Sequence, residues 1–155
     1  MPHDWTHVDL RAQPGHLTRR VHQLSVALFV QEVGELSLTP VQYSALHAIC
    51  EQPGVDQKSL AQSIGYDTST IAGVIDRLEA RGLVVRSVSP ADRRVRLVTP
   101  TPKGIDTLRA VVPRMLKAQE RLLEPLGKAE RKEFLRLMKV LIEANAELST
   151  IPARD

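Results

Sequence analysis

The sequence predicts a mainly α fold with one small β-hairpin, and three observations lead there. Helix-capping residues and apolar spacings of three and four recur along most of the 155 residues. Residues 83–100 alone alternate β-branched and polar side chains around a turn. Immediately before that region stand two short capped helices with only a few residues between them.

In chain order, Leu17, Val21, Leu24 and Leu28 follow Pro14-Gly15 as the stripe of a helix reaching about Val33. This stripe is read as the inward face, while Val26, Phe29 and Val30 make a second apolar side. A helix apolar on two sides calls for two partners, and another subunit is one candidate. Thr39, Pro40 and Gln42 then form a capping-box start for a helix ending near Glu51, before Gln52-Pro53-Gly54. Asp56 caps "QKSLAQSIG", closed by Gly65, and Asp67 caps "TSTIAGVIDRLEAR", closed by Gly82.

The spacing of this pair is the most informative feature. Ala61, Gly65, Ile71 and Val74 lie at offsets of four, ten and thirteen from the first, as a helix-turn-helix requires. Leu60, Ile64, Ile75 and Leu78 complete its buried side; an ordinary helical hairpin is the alternative. "LVVRSVS" and "RVRLVTP" read as antiparallel strands joined by "PADR". Thr101 and Pro102 open a long helix to about residue 126, with Pro113 as a site for a kink. A last helix from Lys128 to about residue 148 puts Phe134, Leu137, Met138, Leu141 and Ile142 on one stripe, exposed unless a partner covers it.

Composition narrows the function classes. The net charge is +3, so basicity would have to be local to signify nucleic acid. Aromatic residues make up 3%, which disfavours base-stacking modules but not binding to duplex DNA. The single cysteine, Cys50, excludes an internal disulfide framework. With neither an 18-residue apolar run nor a signal core, a soluble cytoplasmic protein is expected, without a membrane partner. No HExxH, GxSxG, GKS/T or paired CxxC pattern occurs, so neither an enzyme nor a cofactor is expected. A metal sensor would draw on His3 and His7, and a redox sensor on Cys50, which sits on an apolar helix where an inert thiol is commoner.

A helix-turn-helix followed directly by a hairpin is a winged helix. The stretch "DTSTIAGVIDRLEARGLVVRSVSPADRRVRLVTPTPKG", from Asp67 to Gly104, resembles the MarR family of bacterial transcription regulators, and the flanking helices extend the likeness across roughly residues 15–148. The resemblance implies a single domain over residues 1–155: a DNA-binding lobe at about 36–100 and dimerisation helices at about 15–34 and 101–148. It also implies a homodimer on a roughly palindromic double-stranded operator, with half-sites about one helical turn apart.

Residue types fit that use. Thr68, Ser69 and Thr70 are short donor-acceptors at a positive helix end, with plain N-capping as the alternative, and Ala72 and Gly73 permit close entry to the major groove. Arg77 is suited to a phosphate or to an acid such as Asp92, with solvation as the alternative, and Gln57, Lys58 and Ser59 to the DNA backbone, with solvation as the alternative for Lys58. By resemblance, Arg94 enters the minor groove, Arg93 serves phosphates, and Asp92 orients Arg94. A solvated charged turn is the alternative, and Arg96 is read as a solvated strand residue.

For the effector, His16, Arg20, Tyr43 and His47 are the candidates, with Arg20 flanking the inward stripe. "GHLTRRVHQL" is similar to regulators of aromatic-acid catabolism, which implies an aromatic carboxylate or its CoA thioester as ligand; repression is the expected mode because blocking a promoter needs no dedicated polymerase contact. A metal- or redox-responsive regulator and a winged-helix protein-interaction module are the other classes.

Overall fold

A computed structural model describes residues 7–150, and its elements begin where local chemistry provides caps. A 3-10 turn, Leu10–Ala12, leads into α1 (Pro14–Val33), and a second, Gly34–Leu36, leads toward α2 (Pro40–Glu51). The capping box at α2 forms as expected: Gln42 N donates to Thr39 Oγ1 and Thr39 N to Gln42 Oε1, both at 3.2 Å. Asp56 caps α3 (Gln57–Ile64) and Asp67 caps α4 (Thr68–Ala80), with Gly65 closing α3 in the left-handed region at φ 72°.

The sheet is larger than the expected hairpin. β1 (Val55–Asp56), too short to alternate visibly, joins β2 (Val84–Val88) and β3 (Arg96–Pro100) in antiparallel order β1-β3-β2. Val55 pairs with Val98, and Arg86 pairs with Val98 from the other side. The loop at the hairpin tip spans residues 89–95, longer than the four-residue turn read from sequence, and Ser89 N donating to Val95 O (3.0 Å) closes it. α5 (Pro102–Leu123) runs on through Pro113, and α6 (Lys128–Ala144) is followed by a 3-10 segment, Ala146–Thr150. Both helices stop a few residues earlier than their apolar patterns suggest.

The core joins Leu46 and Ile49 of α2, Leu60 of α3, Ile71, Ile75 and Leu78 of α4, Val84 and Val98 of the sheet, and Val111 of α5. Ala61 and Val74 are buried with them, as the helix-turn-helix spacing requires, and Ile64 packs at the margin. For α1 the expected inward face is corrected. Phe29 and Val33 are its buried residues, whereas Leu17 and Leu24 are 49% and 55% exposed and Arg20 is exposed.

The physical reason is the docking of α5. Glu32 receives Lys117 Nζ at 3.0 Å and Arg121 Nη1 at 2.7 Å, and Arg114 Nη1 donates to Val33 O at 3.3 Å. They flank an apolar seam in which Phe29 and Val33 join Val111 of α5, with Leu108 and Met115 packed against the same core. At the other end, α6 contributes no buried residue, and Leu137, Leu141 and Ile142 stay open as the sequence implies. Among the described residues, no single helix is long and apolar enough to cross a membrane.

Candidate nucleic-acid interface

Two helices begin side by side with the same local chemistry. Asp56 accepts from Ser59 N at 2.9 Å and from Ser59 Oγ at 2.6 Å; Asp67 accepts from Thr70 N at 2.7 Å and Thr70 Oγ1 at 2.6 Å. The Ser59 and Thr70 hydroxyls, followed by the backbone N–H groups, hold these carboxyls below the usual range. Each positive helix end therefore already faces a carboxylate. At the start of α4 the Thr70 hydroxyl hydrogen is spent on Asp67, so Thr70 takes part in the N-cap, while Thr68 and Ser69 are exposed. Ser59 is likewise left with acceptor capacity only.

The hairpin tip exposes both Arg93 and Arg94, and Arg94 is the one bonded to an acid. Arg94 donates its backbone N–H to Asp92 Oδ1 at 2.9 Å, Nε to Oδ1 at 3.3 Å and Nη2 to Oδ2 at 3.4 Å, yet its side chain is 91% exposed. The Arg94 backbone N–H, then its guanidinium, keeps the Asp92 carboxyl below the usual range. The arginine bonded to Asp92 is thus Arg94, its neighbour in the same loop. Arg96 is not merely solvated: its Nη1 donates to Arg93 O at 3.0 Å and braces the tip from β3.

Helix starts and hairpin meet around an open cleft of about 640 Å³, lined by Gln57, Lys58 and Ser59 of α3, Thr68 of α4, and Arg94 and Arg96 of the hairpin. Ser69, Thr70, Gly73, Arg77, Asp92 and Arg93 lie outside its lining. Gln57 is less free than expected, because its Oε1 accepts from Arg86 Nε at 2.9 Å. Arg86 was not distinguished in the sequence, yet it also pairs with Asp76 of α4 at 2.6 Å.

Gly73 makes a separable test of close approach. A Cβ built there meets nothing within 4 Å, so the chain itself has no need of glycine at that position. Gly73→Ala is expected to stabilise the protein by about 0.5–1 kcal/mol through helix propensity while weakening duplex binding. Thermal melts and a duplex titration measure both, and unchanged duplex affinity would show that no surface approaches α4 there.

The effector candidates are only partly brought together. A second cavity of about 250 Å³ between α2 and α3 is lined by Tyr43, Ser44, His47, Ala48, Glu51, Ser63 and Ile64. The Tyr43 and His47 rings are 5.8 Å apart, and His47 Nδ1 lies 3.4 Å from Glu51 Oε2. Burial, then the Glu51 charge, pushes the Tyr43 hydroxyl up, keeping it a donor. His16 and Arg20 do not line this cavity; on α1 His16 is half-buried and Arg20 is exposed. Burial also raises the half-buried Cys50 thiol, which disfavours its reactive thiolate. Among the described residues no three His, Cys, Asp or Glu side chains gather as a metal site; His3 lies outside them.

Comparison with known proteins places these features in context. A family model described as the MarR family matches residues 38–95. The HTH-type transcriptional repressor NicR of Pseudomonas putida is 33% identical over 144 residues, covering 93% of this chain and 91% of NicR. The crystal structure of the PcaV transcriptional regulator from Streptomyces coelicolor with its natural ligand superposes with a TM-score of 0.83 at 36% identity, covering 88% of this chain and 96% of that one. BpsR of Bordetella bronchiseptica, whose DNA binding is regulated by 6-hydroxynicotinic acid, gives 0.82 at 34% identity, covering 86% and 96%.

Proposed function

The chain belongs to the MarR family, whose members are transcription regulators and not enzymes, and from that premise we propose a homodimeric repressor released from its operator by a small aromatic acid. The observation that carries the DNA reading is the cleft that draws the starts of α3 and α4 and the hairpin arginine onto one face. On this reading α4 enters the major groove, with Thr68, Ser69 and Thr70 at its leading end and Gly73 at the closest approach. Lys58 and Arg93 serve phosphates, joined by Gln57, Ser59 and Arg77, while Arg94 reaches the minor groove and Asp92 aims it.

Residues of about 36–100 act as the DNA-binding lobe, and about 15–34 and 101–148 as dimerisation helices of one domain. Support for the dimer comes from Leu17, Leu24, Leu137, Leu141 and Ile142, apolar side chains that the single chain leaves open at both ends. Two lobes then face a roughly palindromic operator in the cytoplasm.

The effector reading rests on the likeness to BpsR and on Arg20, His16, Tyr43 and His47. In the dimer the exposed Leu17 and Leu24 side of α1 is covered, which shields Arg20 enough for a bidentate carboxylate contact. Aromatic acids, with their CoA thioesters as the competing class, are expected to raise Tm by roughly 5–10 °C at a hundred times Kd. Arg20→Ala is expected to abolish ligand-induced release while retaining operator binding in a gel-shift titration. A full ligand response in that variant removes Arg20 from the site.

A further inference from the structure

β2 reads Val-Val-Arg-Ser-Val, and strand alternation puts Arg86 on the face of the buried Val84, opposite the exposed Val85. A cation carried inward must find acceptors. Arg86 finds them on two helices: Nε donates to Gln57 Oε1 of α3 at 2.9 Å, Nη1 pairs with Asp76 Oδ1 of α4 at 2.6 Å, and Nη2 donates to Ala72 O of α4 at 3.1 Å. Glu79 closes the arrangement by taking the Arg86 backbone N–H at 3.0 Å and Nη1 at 3.4 Å. The side chain is 21% exposed, so these bonds are partly shielded from water.

We propose that Arg86 is a positioning residue for DNA recognition: one planar guanidinium fixes the hairpin in register with α4 and the start of α3. The inference rests on the DNA-binding reading above. Arg94 and the leading end of α4 must reach adjacent grooves together, and β2 is the strand that carries the loop holding Arg94. Backbone pairing links β2 to β3, and β3 to β1 at the start of α3, and leaves the tilt of β2 over α4 to the side chains between them. Arg86 supplies that link from the middle of the strand, with donors diverging toward two helices, which a lysine cannot reproduce.

A merely stabilising ion pair would change Tm and nothing else, so the test reads geometry and coupling. The DNA probe is a duplex selected by the wild-type protein from a random-sequence library. In wild-type protein Arg94→Ala is expected to cost roughly a hundredfold in affinity over two wings. In an Arg86→Met background, at a temperature where every variant is folded, the same change is expected to cost less than about threefold. Spin labels at Ala91 and Ala80, placed in a Cys50→Ala chain, are expected to show a narrow distance distribution that broadens with Arg86→Met. Arg86→Lys, which keeps the charge if the methionine variant melts, is expected to show the same broadening.

An unchanged distance distribution, or an Arg94→Ala cost equal in both backgrounds, overturns the proposal. So does recovery of binding when Asp76→Asn is added to Arg86→Met, since freed carboxylate repulsion would then explain the loss. Failure of the wild-type protein to select any duplex would instead remove the DNA reading, while the spin-label distances still decide whether Arg86 holds the hairpin.

Discussion

Arg94→Ala is expected to weaken operator binding by about two orders of magnitude while leaving the dimer intact. A groove arginine contributes about 1–3 kcal/mol, and a dimer loses two of them at once. At about 1.4 kcal/mol per decade the loss spans roughly 30-fold to 10⁴-fold. The substitution also frees Asp92, whose carboxylate then faces phosphates without its fork of donors. Folding should hardly respond, because the Arg94 side chain is almost wholly exposed and its bonds stay within the loop. Removing two cations should make the dependence of log K on log salt shallower by about 2. Gel shifts across a salt series, with sedimentation to check the dimer, measure both effects. Affinity unchanged at every salt concentration would remove the hairpin from the DNA contact.

Legibility in the sequence follows the range of the interaction concerned. Caps are local: Thr39 with Gln42, Asp56 with Ser59 and Asp67 with Thr70 bond within three residues, so the helix starts could be placed from sequence. The helix-turn-helix core was legible for the same reason, its spacing being fixed by two adjacent helices. Which face of α1 turns inward was not, because the answer lies in Lys117 and Arg121 meeting Glu32 some 85–89 positions away. Arg86 was missed because its acceptors are scattered at positions 57, 72, 76 and 79. A signal did exist: an arginine two residues after Val84 on a half-buried strand demands acids, and Asp76 and Glu79 stand three apart on the preceding helix. Among the effector candidates, Tyr43 and His47 share a helix and line one cavity, whereas Arg20 on α1 lies outside it.

Gly104→Ala is expected to be the most damaging single-methyl change to folding, for a reason visible in the backbone. A Cβ built at Gly104 lies 2.0 Å from the carbonyl oxygen of Leu83 and 2.9 Å from its carbon. Those are backbone atoms leading directly into β2, and Leu83 is itself 1% exposed, so neither can swing aside as a side chain would. Relief requires the first turn of α5 to withdraw by more than an ångström. Three bonds hold that turn in place: Thr101 N to Leu83 O at 3.0 Å, Thr101 Oγ1 to Gly82 O at 2.6 Å and Lys103 Nζ to Arg81 O at 2.7 Å. Withdrawal strains all three while overpacking a filled site, a cost of about 3 kcal/mol or more. For a chain of this length that corresponds to a fall in Tm of roughly 10 °C. The gain in helix propensity from alanine, under about 1 kcal/mol, opposes this but is too small to reverse it. Gly73→Ala is the internal control, since the same methyl at an unobstructed helical position should raise Tm. A Gly104→Ala melt within about 2 °C of wild type would mean that α5 and β2 can separate without loss, and that their junction is not the rigid seat of the lobe.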